Sequence, residues 1–216
     1  MMRTDAIRDL YRKRARNYDV TAHLYYLVGY RVFAYRTKAA LALDLKRGDT
    51  VVDIGCGTGL NFPLLLKQVG SDGKIVGVDF TEEMLEKARS RVRENRWANV
   101  ELVQCDAAKY QFPERVDGII STAAISLMPD YDAIIRRGAE ALSHGGRFVV
   151  LDFKLPENRP EWLTNFLVFI TKPFGITLEI ADRHPHESIR NHLNMVSFHE
   201  HYMGYAYIAV GEKEKG

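Results

Sequence analysis

Short apolar runs alternate with amphipathic stretches through the middle of the chain. Five runs of four to six residues are rich in aliphatic residues and bounded by turn residues, which predicts β-strands. The predicted strands are 50–54, 74–78, 100–103, 118–121 and 147–152. Helical periodicity follows at 61–69, at 81–96, where Thr81 is expected to cap the helix, and at 131–142. This alternation predicts an α/β fold built from parallel βαβ units with right-handed crossovers.

The segment before the first strand is predicted to be helical. Apolar residues at helical spacing indicate helices at 4–18 and at about 30–45. The candidate buried positions of the second helix are Val32, Phe33, Ala40, Leu41 and Leu45. Because this segment lies outside the alternation, we predict a helical cap over residues 1–47 and a core over residues 48–216.

The last third of the chain also departs from the alternation. An apolar, aromatic stretch broken by prolines covers about 156–182 and is predicted to be an insert in the core. A helical pattern follows at 186–193. Two strand-like runs, 197–203 and 205–210, are separated only by Gly204, which predicts an antiparallel pair at the sheet edge.

The first predicted strand runs into a glycine-rich turn with the sequence VVDIGCGTG at 51–59. Glycines there let a ligand approach the backbone beyond the carboxyl ends of the strands. A dinucleotide fingerprint would need its third glycine where Leu60 stands. A carboxylate at Asp53 would repel a pyrophosphate but attract a cation, which favours S-adenosylmethionine over a nicotinamide dinucleotide. The candidate cofactor contacts in this turn are Asp53, Gly55, Cys56, Gly57 and Gly59.

Further candidate cofactor contacts lie where later strands end. Asp79 follows Gly59 by 20 residues, where a carboxylate can accept hydrogen bonds from both ribose hydroxyls. Two apolar side chains just after it can pack against an adenine ring, and a carboxylate after the third strand can accept from the adenine amino group. These and the remaining candidates are Phe80, Met84, Asp106, Ala107 and Ser121.

Composition and charge narrow the class of protein. The chain has 216 residues, of which 46% are hydrophobic and 27% charged, as in ordinary globular domains. Two cysteines cannot build a disulfide framework, and neither a signal peptide nor an apolar run of about 18 residues is evident. We therefore expect a cytoplasmic protein. Residues 1–47 hold 11 Lys/Arg and 4 Asp/Glu, a net +7, whereas the rest carries 19 and 24, a net −5. This asymmetry indicates an anionic partner for the N-terminal segment.

The ordered series of motifs resembles the class I S-adenosylmethionine-dependent methyltransferases, over roughly residues 43–210. The motifs are VVDIGCGTG, GVDFTEEMLEKAR, CDAAKYQFP and LSHGGRFVVLDF, the last with His144 where the family usually has proline. The resemblance implies a Rossmann-like, seven-stranded sheet of order 3-2-1-4-5-7-6 with strand 7 antiparallel and helices on both faces. It implies that Asp53, Gly55 and Gly57 hold the methionine moiety, Asp79 the ribose and Asp106 the adenine.

The N-terminal cap resembles the substrate lid of two branches of this family. Tyr18-Asp19 matches a pair found in ubiquinone/menaquinone and phospholipid methyltransferases, and GTGLNFP resembles the phospholipid N-methyltransferases. The resemblance implies a small or lipid-like acceptor, with a phospholipid amine as the leading prediction and a quinone precursor as the alternative. The candidate catalytic residues are Tyr18, Tyr26 and His144. The basic cap then predicts peripheral contact with an anionic membrane.

Other readings of the sequence stay open. The DNA amino-methylase motif is missing at 121–124, so no nucleic acid partner is expected. The pairs His184/His186 and His199/His201 have metal-ligand chemistry, but no matching ligand set accompanies them and no metal is predicted. A cofactor-binding regulator without turnover remains an alternative, and a nicotinamide-dependent oxidoreductase is disfavoured by Asp53 and Leu60. The sequence does not determine the oligomeric state.

Overall fold

The fold is organised by one seven-stranded mixed sheet. The computed structural model describes residues 29–155 and 182–215, together with 12, 19, 27, 160, 162, 165, 166 and 169. Its strands are β1 (Thr50–Ile54), β2 (Lys74–Asp79), β3 (Val100–Gln104), β4 (Val116–Thr122), β5 (Leu142–Phe153), β6 (Asn194–His201) and β7 (Ala206–Glu212). The strand order is β3-β2-β1-β4-β5-β7-β6. β7 runs antiparallel to both of its neighbours, β5 and β6, whereas all other pairs are parallel. The predicted fold class is therefore confirmed.

Helices cover both faces of this sheet. They are α1 (Val32–Ala42), α2 (Phe62–Val69), α3 (Glu82–Glu94), α4 (Tyr131–Ala141) and α5 (Pro185–His192), with a 3-10 helix at Ile125–Leu127. Successive strand residues point to opposite faces. Thus Val51 packs in one core with α1, α2 and α3, whereas Val52 packs in the other with α4 and α5. The central strands are buried on both sides, which explains their nearly continuous apolar sequence.

The predicted elements agree with the structure in type and differ at some ends. β5 begins at Leu142 and β6 at Asn194, several residues before their predicted starts, because each pairs across an irregular register with its neighbour. Thr81 occupies the N-cap position of α3 as predicted, but its hydroxyl makes no capping hydrogen bond. Leu41 was wrongly predicted as buried, since 63% of it is exposed.

Two predicted segments lie largely outside the described residues. They are the helix at 4–18, of which Arg12 alone is described, and the insert at about 156–182. Of the residues that the structure describes, none belongs to a helix with the length and apolarity needed to cross a bilayer.

The sheet topology determines where a ligand can bind. From β1 the chain moves outward to β2 and β3, and then returns past β1 to β4 and β5. The loops after β1 and β4 therefore diverge to opposite sides, which opens a crevice at the carboxyl ends of these strands.

Candidate active site

A cleft occupies this crevice and brings together most of the predicted cofactor contacts. The predicted residues that line it are Gly55, Gly57, Asp79, Phe80, Met84, Asp106 and Ala107. They come from the ends of β1, β2 and β3, three neighbouring strands of the sheet, except for Met84, which lies in the first turn of α3. The opposite side of the cleft is formed by Thr122, the last residue of β4, and by residues 123–124 and 127–130 after it.

The glycine-rich turn folds back against the end of β2. The N–H groups of Gly55 and Cys56 both donate to the Val78 carbonyl, at 2.8 and 3.1 Å. Gly55 has a φ of 69°, and a Cβ at this position would lie 2.4 Å from the Ala124 Cβ. The turn therefore requires glycine both for its backbone conformation and for its close approach to the β4 loop.

Asp79 joins the end of β2 to this turn. Its Oδ2 accepts a hydrogen bond from the Gly57 N–H and its Oδ1 one from the Thr81 N–H, both at 2.9 Å. Burial raises the pKa of Asp79, and these N–H groups act in the opposite direction by stabilising the carboxylate. A Cβ placed on Gly57 would meet no atom within 4 Å, so the cleft is open beside the carboxylate.

An apolar wall connects Asp79 to a second carboxylate. Met84 is 1% exposed and Phe80 is half-buried, and both face the cleft. Asp106 is exposed on the far side, where its Oδ1 accepts from the Ala108 N–H at 3.0 Å. Along this side of the cleft, the Asp79 carboxylate is therefore followed by an apolar wall and then by the Asp106 carboxylate.

Four predicted cofactor contacts do not line the cleft. The Ser121 hydroxyl donates to the Ile54 carbonyl at 2.9 Å, inside the sheet. Cys56 is buried against β2, and burial raises the pKa of its thiol well above the usual range, so it is no reactive nucleophile. Gly59 packs on Phe62, whose ring would lie 2.4 Å from an added Cβ. The fourth, Asp53, is fully buried.

Asp53 belongs to a buried polar network beneath the glycine-rich turn. The Asn61 amide donates to both Asp53 oxygens and to the Thr122 hydroxyl, each at 3.1 Å. Arg36 of α1, 6% exposed, donates to the side-chain Oδ1 of Asn61 at 2.9 Å and to the Thr122 hydroxyl. Burial raises the pKa of Asp53 to about 7, while the Arg36 charge and the Asn61 hydrogen bonds oppose this.

This network connects the cap with the cleft. Thr122 lines the cleft, and its hydroxyl accepts hydrogen bonds from Arg36 of α1 and from Asn61, just before α2. Sequence reasoning missed Arg36, Asn61 and Thr122. The asparagine of GTGLNFP was the one sequence signal for this network, because the pattern around Arg36 indicates only the apolar face of α1.

The wall that follows β4 is apolar from Ala123 to Pro129 and ends at Asp130, and hydrogen bonds to β5 hold it in place. Ala123 adopts a φ of 53°, and its N–H donates to the Leu151 carbonyl at 2.7 Å. The Asp152 carboxylate accepts from the Ser126 N–H at 3.0 Å and from its hydroxyl at 2.8 Å, which anchors the 3-10 helix carrying Leu127. Burial raises the pKa of Asp152 to about 6. A non-glycine residue in the left-handed region is typical of functional sites.

The predicted catalytic residues are not assembled in this cleft. Tyr18 and Tyr26 lie outside the described residues. His144 lies near the amino end of β5, where its Nδ1 is 2.9 Å from the Glu214 carbonyl oxygen. The cleft is at the carboxyl ends of the strands, so the position of His144 corrects the prediction that it acts in catalysis.

Asp19, from the predicted Tyr18-Asp19 pair, contacts the glycine-rich turn directly. The Thr58 hydroxyl donates to its Oδ1 at 2.6 Å, and Arg91 of α3 donates to its Oδ2 at 2.6 Å. Arg91 also donates through Nε to the Thr58 carbonyl at 2.9 Å. Asp19 is therefore held on the glycine-rich turn next to the cleft.

The histidine pairs have different surroundings. His184, His186 and Glu187 bring potential metal ligands within 4.8 Å of one another at the start of α5. His201 on β6 stacks on Tyr35, with ring centroids 4.8 Å apart. Neither pair lines the cleft.

The sheet order and the cleft define a Rossmann-like protein of the class I methyltransferase type. A family model described as a methyltransferase domain matches residues 45–185, which is more than half of the chain. The chain therefore belongs to the family of S-adenosylmethionine-dependent methyltransferases, whose cofactor is S-adenosylmethionine.

Individual relatives extend this comparison. A demethylmenaquinone methyltransferase of Listeria welshimeri is 30% identical over 129 residues, covering 59% of this chain and 54% of that protein. The chain thus spans about half the length of this relative. A demethylmenaquinone methyltransferase of Lactobacillus johnsonii is 29% identical over 168 residues, covering 76% and 68%. The crystal structure of a SAM-dependent methyltransferase from Aquifex aeolicus has a TM-score of 0.59 at 21% identity, covering 82% and 88%, and supports the fold.

Proposed function

We propose that the protein transfers the methyl group of S-adenosylmethionine to a small, lipid-like acceptor. One observation carries the proposal: the cleft joins a side that holds Asp79 and Asp106 to a mainly apolar side that begins at Ala123 and ends at Asp130. The bound cofactor supplies an activated methyl on a sulfonium. The role of this chain's residues is then to orient donor and acceptor and to exclude water.

The residues of the first side fit the cofactor by their chemistry. Asp79 is available for the ribose hydroxyls, Phe80 and Met84 for the adenine face, and Asp106 for the adenine amino group. Gly57 leaves space for the ligand beside Asp79. Thr122 lines the cleft at the end of β4, and its hydroxyl accepts a hydrogen bond from the buried Arg36, so this part of the cleft wall is held in place from the core.

Among lipid-like acceptors, a quinone precursor is favoured over a phospholipid amine. The sequence alone had favoured the amine. The relatives named demethylmenaquinone methyltransferase now support an aromatic ring as the acceptor. Methylation of a ring carbon forms a C–C bond, breaks the S–C bond and releases the ring proton to a base. An apolar wall with Leu127 and Met128 suits such a flat, apolar ring.

Cofactor binding is tested by calorimetric titration with S-adenosylhomocysteine. Asp79→Ala should weaken binding at least about tenfold, because it removes a charged hydrogen-bond acceptor from the ribose. Asp72→Ala, at an exposed turn after α2, is the matched control and should bind as the wild type does. No binding by the wild type, or equal binding by Asp79→Ala, would contradict the proposal.

Methyl transfer is tested with a radiolabelled donor and two acceptors in detergent micelles, a demethylated naphthoquinol and phosphatidylethanolamine. We expect label in the quinol. Label in phosphatidylethanolamine would restore the amine, and cofactor binding without transfer to any lipid extract would favour a regulator without turnover.

We also propose that the basic N-terminal segment contacts an anionic membrane, where such acceptors reside. The net charge of +7 on residues 1–47 supports this contact. Sedimentation with vesicles that contain phosphatidylglycerol should decrease as the salt concentration rises. Equal binding to neutral and anionic vesicles would refute an electrostatic contact.

A further inference from the structure

Three large aromatic side chains are exposed among the described residues of the apolar insert. Trp162 is 69% exposed, Phe166 47% and Phe169 72%. All three have helical backbone conformation, and Asn165, helical as well, is also exposed. Positions separated by four and three residues lie on the same side of a helix. Exposed aromatic residues in such an arrangement indicate an interaction surface.

This aromatic face belongs to a segment that leaves and re-enters the core beside the cleft. The chain enters the segment after Phe153, at the carboxyl end of β5, and returns at Arg183 before α5. Arg183 donates to the Ser126 carbonyl at 2.8 Å, in the 3-10 helix whose Leu127 lines the cleft. The segment is thus anchored at the acceptor side of the cleft.

We propose that the aromatic face, Trp162, Phe166 and Phe169, inserts into the interfacial region of an anionic lipid bilayer. Tryptophan and phenylalanine are the side chains that bind there, with the apolar ring below the headgroups. The basic segment 1–47 supplies the complementary charge, and Leu27, 82% exposed, adds an apolar residue from that segment. The inference rests on the proposed function, because insertion beside the cleft gives a membrane-embedded acceptor a short path to it.

Tryptophan fluorescence tests this contact directly. The chain has two tryptophans, and Trp97 is partly buried against the core, so Trp97→Phe leaves Trp162 as the single reporter. On adding vesicles of phosphatidylcholine and phosphatidylglycerol, we expect its emission to shift to shorter wavelength and to be quenched by brominated lipids. Unchanged emission would overturn the proposal.

Two variants make the test specific to this face. Phe166→Ser combined with Phe169→Ser should lower the vesicle partition constant at least about tenfold. Val196→Ser removes a 45% exposed apolar side chain on β6, outside both the aromatic face and residues 1–47, and should leave partitioning unchanged. Equal losses in both variants, or no loss in the double variant, would refute the assignment.

Other outcomes are also distinguishable. A shift of Trp162 emission that grows with protein concentration without vesicles would mean that a second copy of the chain covers the face, which overturns the lipid proposal. S-adenosylhomocysteine binding is measured in the same samples. Intact binding without a vesicle response removes this inference alone, whereas lost binding in the wild type removes the proposed function.

Discussion

The buried carboxyl of Asp53 makes a quantitative prediction about stability and pH. Its pKa in the folded protein is about 7, raised from 3.8 by burial. Since the folded state holds this proton more tightly than the unfolded state, stability is lost as the pH rises from about 4 to 7. A difference of about three pKa units corresponds to about 4 kcal/mol, because one unit is worth 1.36 kcal/mol.

Asp53→Asn removes this titration while keeping the size of the side chain. Urea unfolding of the wild type and the variant should be compared at several pH values. Between pH 5 and 8 the difference in their free energies of unfolding should change by about 2–3 kcal/mol in favour of the variant. Other buried carboxyls titrate in both proteins and therefore cancel in the difference.

Asp152→Asn provides the matched control for this measurement. The pKa of Asp152 is raised to about 6, so its difference curve should level off about one pH unit below that of Asp53→Asn. A difference between wild type and Asp53→Asn that stays flat from pH 5 to 8 would refute the account of Asp53 as a buried carboxyl that ionises near neutrality.

Three further predictions concern the turn, the cap and the far end of the sheet. Gly59→Ala should destabilise the protein by about 2–4 kcal/mol in urea unfolding, because its Cβ would overlap the Phe62 ring at a φ of 78°; a loss below about 0.5 kcal/mol would contradict this. Asp19→Asn and Arg91→Met should each speed proteolysis of the cap, and the effect of the double variant should be smaller than the sum of the two, because the residues share one ion pair and each also contacts Thr58. Additive effects would mean that the two residues act separately. His144→Ala should leave methyl transfer unchanged in the donor-label assay, and a loss of rate without a loss of folding would restore its catalytic role.

The fold could be predicted because its signals are local. Each central strand is a short apolar run, and the glycine-rich turn, Asp79 and Asp106 follow successive strands at their carboxyl ends. Parallel pairing brings these ends to one edge, so spacing along the chain was enough to assemble the donor half of the cleft.

The remaining parts depend on contacts between distant positions. Arg36 lies 25 residues before Asn61, and no local pattern indicates that its guanidinium enters the core beneath the turn. The sequence predicts that Asp53 faces a cation in the cleft, but the Asn61 amide donates hydrogen bonds to both of its carboxylate oxygens. His144 was chosen by its place in a motif, which says little about which end of the strand it occupies.

The close approach of Gly55 to Ala124 restricts how this protein can evolve a new acceptor preference. A side chain at position 55 would collide with Ala124. The turn and the β4 loop can therefore approach this closely only because positions 55 and 124 both carry small residues. Enlarging Ala124 to reduce the cavity would push the donor away from the acceptor and lengthen the transfer distance. Changes in acceptor size are therefore expected to accumulate at Leu127, Met128 and the insert, while positions 55 and 124 stay small together.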